Sequence, residues 1–135
     1  MLAKTKRAEA RALFEDYVAR IGRYADVQVT ELREAGAWRR KKFDSNAVMV
    51  LLDAGGKQCT SAEFASWLGK QRDGGVRELV FLCGDAEGFP EDMRQAAKVK
   101  IALSSLTTAH ELARVMLAEQ IYRGFAILAG HPYPK

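Results

Sequence analysis

The stretch Ala47-Val48-Met49-Val50-Leu51-Leu52 is an uninterrupted apolar run that ends at Asp53-Ala54-Gly55-Gly56. A strand that is buried on both faces, as in a parallel sheet, has this appearance. Two more strands are predicted downstream, over residues 76–83 and 99–103. A shorter, half-buried strand is predicted upstream, where Val27 and Val29 alternate with polar residues.

Helical patterns lie between and beyond these strands. The first has apolar residues at three- and four-residue spacing and is followed by Gly22, a common stop signal. Two others open with the spacing of a capping box, at Thr60-Ser61-Ala62-Glu63 and at Thr108-Ala109-His110-Glu111. The four helices are predicted over residues 4–21, 61–73, 90–97 and 109–128.

Strands that alternate with helices predict an α/β fold with a largely parallel sheet, because parallel neighbours need crossover connections. Ligands bind such sheets beyond the carboxyl ends of the strands. Three loops are expected at that edge, over residues 53–57, 84–88 and 104–108. No repeat or linker divides the 135 residues, so a single domain over 1–135 is predicted.

The composition excludes several classes of protein. Hydrophobic residues make up 48% of the chain and charged residues 28%, which is ordinary for a globular domain. The apolar runs are too short to span a membrane, and two cysteines do not make a secreted disulfide framework. The N-terminus has no apolar stretch of the signal-peptide type, so a cytoplasmic protein is predicted.

Positive charge is concentrated in the first third of the chain. Residues 1–42 carry eleven Lys and Arg against six Asp and Glu, although the whole chain has a net charge of only +4. The densest point is the basic cluster Arg39-Arg40-Lys41-Lys42. Such a cluster attracts a polyanion such as RNA, and a solvated basic loop gives the same pattern.

Familiar catalytic motifs are absent from the sequence. It has no P-loop, no HExxH, no paired CxxC and no GxSxG. Two cysteines and two histidines at irregular spacing provide no obvious ligand set, so no metal is predicted. Asp85 and Glu87 would repel a phosphate, and their loop suits a cationic or hydroxyl-bearing ligand or is a plain turn.

The last 25 residues contain two further features. Glu119 and Arg123 stand at i and i+4, the favoured order for an ion pair on a helix surface, which explains their spacing without any function. The tail from Gly130 to Lys135 has two prolines and Tyr133. It is predicted to be a stiff, extended end that docks or reaches into a neighbouring site.

Three blocks of sequence together resemble one family. They are Leu51–Lys57 with Ser61–Ala65, then Phe81–Gly88, and a long block from Ala102 through Glu119-Gln120-Ile121-Tyr122-Arg123 to Gly130-His131-Pro132-Tyr133. This set is similar to the SPOUT-class methyltransferases of the RlmH type, which act on N3 of a pseudouridine in 23S ribosomal RNA. The blocks occur in order over nearly the whole chain.

The resemblance implies an α/β SPOUT-type domain with a C-terminal trefoil knot, a rare exception to the rule against threaded chains. It also implies a homodimer that binds S-adenosylmethionine in the loops of the knot. Main-chain groups of such loops bind adenine and ribose without a nucleotide motif. By position, the implied cofactor-binding residues are Leu52, Gly84, Asp85, Leu103, Ser104, Ser105, Leu106, Thr107 and Thr108.

The implied reaction places a methyl group on a nitrogen that carries a weakly acidic proton, so the site must help to remove that proton or stabilise the anion. On this reading Arg123 steadies the base or a phosphate, and Glu119 orients Arg123. Tyr133 and His131 place the nucleotide from the tail, across a dimer interface. The implied contacts to ribosomal RNA are Arg39, Arg40, Lys41 and Lys42.

The chain departs from the family pattern at three places. It starts at Met1-Leu2-Ala3-Lys4, almost at the first helix, so the family's N-terminal strand is expected to be missing. Asp85 stands where a second glycine is common, and Pro134 where a histidine usually follows the tail tyrosine. Two alternatives stay open: a relative that binds RNA or the ribosome without catalysis, and the same chemistry on another RNA.

Overall fold

The computed structural model describes residues 2–30, 46–83, 91–97, 99–103 and 110–133, with side chains from residue 8 onward except at Ala54, His110 and Glu111. Strands and helices alternate along the chain, which confirms the predicted α/β class. The elements are α1 (Leu2–Ile21), β1 (Val48–Gln58), α2 (Ser61–Asp73), β2 (Leu79–Cys83), α3 (Glu91–Ala96), β3 (Val99–Ala102) and α4 (His110–Leu128).

The apolar run of β1 forms the centre of a parallel sheet. Within the described residues the strand order is β2-β1-β3, and Val50 lies opposite Phe81 on one side and Val99 on the other. Val50 and Leu51 are fully buried, one toward each face. A strand with neighbours on both edges and cover on both faces is what the uninterrupted apolar pattern predicts.

The loop predicted at 53–57 is wrong, because β1 continues through it. Ile101 of β3 is paired with both Leu52 and Lys57, so the residues between them form a wide bulge inside the strand. Gly56 is needed there, since a Cβ at this position would lie 2.8 Å from the main chain of β3. The glycine therefore marks a close approach of two strands rather than a turn.

The strand predicted around Val27 and Val29 is also wrong. Residues 26–30 have no regular secondary structure, and the two valines are 37% and 47% exposed. A strand needs main-chain hydrogen bonds from a neighbour, and among the described strands β1, β2 and β3 pair only with one another. The loop predicted over 33–45, with its basic cluster, falls on residues 31–45, outside the described part of the chain.

The helix boundaries follow the local signals in the sequence. The Thr60 hydroxyl accepts the main-chain N–H of Glu63 at 3.1 Å, and the Glu63 carboxylate accepts the N–H of Thr60 at 2.8 Å. This reciprocal pair confirms the predicted capping box at the start of α2. α1 ends directly before Gly22 and α2 before Gly74, also as predicted.

Helices cover both faces of the sheet. Leu51 packs against Met93 of α3 on one face. On the other face α2 and α4 approach closely, because a Cβ on Gly124 would lie 2.6 Å from Cδ1 of Leu68. α1 packs against the outside of α4 in a cluster that includes Tyr122. α4 therefore lies between the sheet and α1.

The loops implied to form the trefoil knot, 84–88 and 104–108, lie outside the described residues. The ends of the strands before them are described. β2 ends at Cys83 and β3 ends at Ala102, on opposite sides of β1 in a parallel sheet. Both loops therefore start at the carboxyl edge of the sheet, where ligands bind such folds.

Candidate functional site

A cavity of about 140 Å³ lies beside the carboxyl ends of β1 and β3. Strands form one side of it, and the first turn of α2 and the middle of α4 form the other. Most of its lining is apolar, with the hydroxyls of Thr60 and Ser61 and the amide of Gln120 as polar groups. The lining residues are Val50, Leu52, Cys59, Thr60, Ser61, Phe64, Phe81, Ile101, Ala102, Leu103, Met116, Leu117 and Gln120.

The thiol of Cys59 is a potential nucleophile in this lining, and its surroundings keep the thiol protonated. Burial, and then the nearby carboxylate of Glu63, raise the pKa of the Cys59 thiol, whereas Lys57 opposes them. Since the thiolate is the nucleophilic form, Cys59 is a weak nucleophile at neutral pH. Cys59 therefore lines the cavity as a neutral thiol.

A second group of polar side chains lies on α4, next to the cavity-lining residue Gln120. Nη2 of Arg123 is 2.6 Å from Oε2 of Glu119, and Nε of Arg123 is 3.1 Å from the same oxygen. Both side chains are partly buried. The hydrogen bond to Glu119 raises the pKa of Arg123, so the guanidinium stays charged.

The tail brings Tyr133 to this pair. The N–H groups of Gly130 and His131 donate to the carbonyls of Ile127 and Ala126 at 3.1 and 2.8 Å, the pattern of a Schellman motif. Gly130 has the positive φ of 72° that this turn requires. The turn folds the chain back, so that the Tyr133 ring packs edge-on against Tyr122 at a centroid distance of 4.5 Å.

The Tyr133 hydroxyl joins the tail to both α1 and α4. It lies 3.2 Å from Oε2 of Glu119 and 3.1 Å from the hydroxyl of Tyr17. Because a carboxylate only accepts hydrogen bonds, Tyr133 donates its proton to Glu119. Burial first, and then the hydrogen bond to Tyr17 and the charge of Glu119, raise the pKa of Tyr133. Tyr133 is therefore a hydrogen-bond donor at neutral pH, not a base.

Gln120 connects this polar cluster to the cavity. Its amide nitrogen donates to Oε1 of Glu119 at 2.9 Å, and its carbonyl accepts the Ser61 hydroxyl at 2.7 Å. We use the name tail cluster for Glu119, Arg123, Tyr133 and Tyr17. The cavity wall and the tail cluster are thus joined by an unbroken series of hydrogen bonds.

The structure brings some of the predicted site residues together. Leu52 and Leu103 line the cavity, and Glu119, Arg123 and Tyr133 meet in the tail cluster. His131 is exposed, and its described hydrogen bond is through its main chain. The other predicted residues lie outside the described part of the chain: Arg39, Arg40, Lys41, Lys42, Gly84, Asp85, Ser104, Ser105, Leu106, Thr107 and Thr108.

The tail docks on its own chain as far as Tyr133, rather than extending away from it. Pro134 lies beyond the described residues. Among the residues joined by the hydrogen bonds of the site, the sequence reasoning missed Tyr17, Ser61 and Gln120. Tyr17 is 116 positions from Tyr133, so no local pattern shows the contact. For Gln120 the sequence contains only a weak indication of a role in the site, namely its position directly after Glu119, a member of the predicted Glu119–Arg123 pair.

Within the described part of the chain, no group of three or more His, Cys, Asp or Glu side chains is arranged to hold a metal ion. None of the helices seen there has both the length and the apolar character needed to cross a bilayer.

Comparison with known proteins places the whole chain in one family. The family model described as "Predicted SPOUT methyltransferase" matches residues 1–134. A protein of Rhizorhabdus wittichii is 46% identical over 90% of this chain and 84% of its own length. Proteins of a Geobacter species and of Geotalea daltonii are 42% and 39% identical over 98% of this chain and 94% of theirs. All three carry the name Ribosomal RNA large subunit methyltransferase H. The family-model match and these relatives lead to one conclusion: the chain belongs to the SPOUT methyltransferase family.

Proposed function

We propose that this chain uses S-adenosylmethionine to methylate N3 of a pseudouridine in the RNA of the large ribosomal subunit. The observation that carries the proposal is the likeness, over 98% of the chain, to relatives named Ribosomal RNA large subunit methyltransferase H. The cavity and the tail cluster add support, because they supply a ligand site and a charged donor group next to each other.

The cavity suits part of such a cofactor. Its apolar walls match the faces of an adenine ring, and the groups of Thr60, Ser61 and Gln120 match the hydrogen-bonding edges of adenine or ribose. At about 140 Å³ it is smaller than the roughly 300–1,000 Å³ of a complete ligand site. We assign the rest of the contact surface to Gly84, Asp85 and residues 104–108, which follow β2 and β3 in the sequence.

When bound, S-adenosylmethionine supplies a methyl group on a positively charged sulfur. The chain's own residues must then bind and orient the uracil-like ring of the nucleotide. The Arg123 guanidinium stabilises the negative charge that develops as the N3 proton is given up to solvent. Glu119 holds Arg123 in one orientation, and Tyr133 with its raised pKa donates a hydrogen bond to an oxygen of the base or to Glu119. His131, exposed on the same turn, is assigned to the nucleotide's backbone.

RNA contact and assembly complete the proposal. We assign Arg39, Arg40, Lys41 and Lys42 to phosphate contacts and expect the chain to work as a homodimer. Counterion release makes the affinity of such a contact fall steeply with salt. Replacing all four residues by Ala should lower both the affinity for ribosomal RNA and the slope of its salt dependence. Binding that is insensitive to salt in the wild type would remove this assignment.

The reaction is tested on ribosomes from cells that lack the protein. Purified wild-type protein and S-adenosylmethionine should add one methyl group per large subunit, and mass mapping of the RNA should place it on a pseudouridine. Cofactor binding in calorimetry without any methyl transfer would support a binding-only relative and contradict the proposal. A methyl group found in another RNA would contradict the substrate.

The position of the cofactor is tested at Cys59, which lines the cavity. In a Cys83→Ala variant, S-adenosylhomocysteine at ten times its Kd should slow alkylation of Cys59 about tenfold, because only free protein reacts. The matched control carries its single thiol at position 66, an exposed position on α2 outside the cavity lining, after Ser66→Cys, Cys59→Ala and Cys83→Ala. Equal protection of both thiols, or of neither, would place the ligand elsewhere.

A further inference from the structure

Gln120 occupies an unusual place between the two parts of the site. Its side chain lines the cavity, and the residue before it, Glu119, is the centre of the tail cluster. Its amide bridges the two, with 2.7 Å to the Ser61 hydroxyl and 2.9 Å to Oε1 of Glu119. Ser61 is the first residue of α2, directly after the capping residue Thr60.

The chemistry of the partners fixes which way the amide points. A carboxylate only accepts, so Gln120 must turn its NH₂ group toward Glu119. Its carbonyl oxygen is then left for Ser61, whose hydroxyl can donate to it. Both contacts are thus hydrogen bonds with complementary partners. Turning the amide over would place its oxygen against the Glu119 carboxylate and break that bond, although the Ser61 hydroxyl could then accept from the NH₂ group.

The bridge restrains the carboxylate on which the tail cluster depends. Oε2 of Glu119 receives both Nη2 of Arg123 and the Tyr133 hydroxyl, at 2.6 and 3.2 Å. Oε1 faces Gln120. With both oxygens engaged, the carboxylate plane cannot rotate without losing a hydrogen bond to a charged group, which is a strong class of contact.

We propose that Gln120 is a positioning residue, which holds the Glu119 carboxylate, and through it Arg123 and Tyr133, in fixed register with the cavity. A ligand that touches Ser61 or Gln120 then shifts the tail cluster, and by linkage the tail cluster shifts the ligand's affinity. The inference rests on the proposed function for the identity of the ligand and the reaction, but not for the link itself.

The test uses the full chain labelled with 3-fluorotyrosine, whose four tyrosines give separate fluorine signals. Tyr133→Phe identifies the Tyr133 signal. Gln120→Met keeps the side-chain length and removes both hydrogen bonds. The matched control is Gln95→Met on α3, where an exposed glutamine also donates to a glutamate, Glu91, at 3.4 Å.

In the ligand-free protein we expect Gln120→Met to move the Tyr133 signal and Gln95→Met to leave it in place. Addition of S-adenosylhomocysteine should move the signal in the wild type and much less in Gln120→Met. On ribosomes, kcat should fall about tenfold in Gln120→Met, with a smaller change in the KM for S-adenosylmethionine, because the bridge orients the cluster rather than forming the cavity.

An unchanged Tyr133 signal and an unchanged kcat in Gln120→Met would overturn the inference. If that variant does not fold, Ser61→Ala decides, since it removes only the hydroxyl at the far end of the bridge. Its Tyr133 signal should move away from the wild-type position, and no movement would overturn the inference. If wild-type protein fails to bind cofactor in calorimetry, the proposed function fails, while the ligand-free signals still decide the role of Gln120.

Discussion

Two helices of this molecule carry the same kind of charge pair at the same spacing. On α1, Arg20 lies 3.3 Å from Asp16, and their side chains are 40% and 53% exposed. On α4, Arg123 lies 2.6 Å from Glu119, and their side chains are 26% and 18% exposed. The i,i+4 spacing predicts both ion pairs equally well.

The difference between the pairs lies in their other partners. The guanidinium of Arg20 lies over the rings of Tyr17 and Tyr122, at 5.6 Å from each centroid. Glu119 instead receives hydrogen bonds from Tyr133 and Gln120 as well as Arg123. An exposed pair typically contributes 0 to about 1 kcal/mol to folding, whereas removal of one partner of a more buried pair is costlier. Spacing therefore identifies an ion pair, and only its further partners identify a site.

The largest expected effect comes from removing the two arginines in turn. Arg123→Ala should lower kcat for methyl transfer to ribosomes about 10²- to 10³-fold, the usual cost of losing a donor that stabilises developing charge. Arg20→Ala should lower it less than about fivefold, because its pair is exposed. Thermal unfolding of both variants controls for folding. Equal losses of kcat in the two folded variants would break the distinction between the pairs.

A smaller effect is expected when only the carboxylate charges are removed. Glu119→Gln keeps the shape of the side chain but weakens the attachment of Arg123 and places an amide against that of Gln120. We expect kcat to fall about tenfold, in line with the loss of one hydrogen bond to a charged group. Asp16→Asn is the matched change on α1 and should leave kcat within about twofold. A Glu119→Gln variant with wild-type kcat would show that Arg123 needs no orienting partner.

The contrast also shows what local sequence can predict. The capping box of Thr60 and Glu63 and the Glu119–Arg123 pair depend on residues three and four positions apart, and both form as expected. The apolar run in β1 predicted its own burial, because a strand between two neighbours must be apolar on both faces. Each of these features is decided within one turn or one strand.

The features that sequence missed are decided by distant partners. Gly56 looks like part of a turn, and only the approach of β3 makes it a bulge inside β1. Val27 and Val29 have the alternation of a strand but no described strand to pair with. Tyr17 joins the tail cluster across 116 positions. The resemblance to a family supplied the roles of Arg123 and Tyr133, which periodicity and spacing do not contain.

The smallest expected effect is a change of stability with pH at Tyr133. Its pKa is raised in the folded chain, whereas in the unfolded chain it has the ordinary value of about 10. Above pH 10 the folded state therefore holds more protons than the unfolded state, and stability falls as the pH rises. This contribution is complete below pH 10, and its loss amounts to less than about 1 kcal/mol at pH 10.5.

Tyr133→Phe removes the titrating hydroxyl together with its two hydrogen bonds. At pH 7 the variant should be less stable than the wild type by about 1 kcal/mol. Urea unfolding at pH 7, 9 and 10.5 should show the difference in unfolding free energy between the two proteins narrowing only at the highest pH, where Tyr133 titrates in the unfolded chain. Cys83, whose pKa is raised to about 11 by burial, titrates equally in both proteins and does not change this difference. If the difference in unfolding free energy stays constant to pH 10.5, the pKa of Tyr133 is not raised by folding. The tail cluster would then be as open to water as the ion pair on α1.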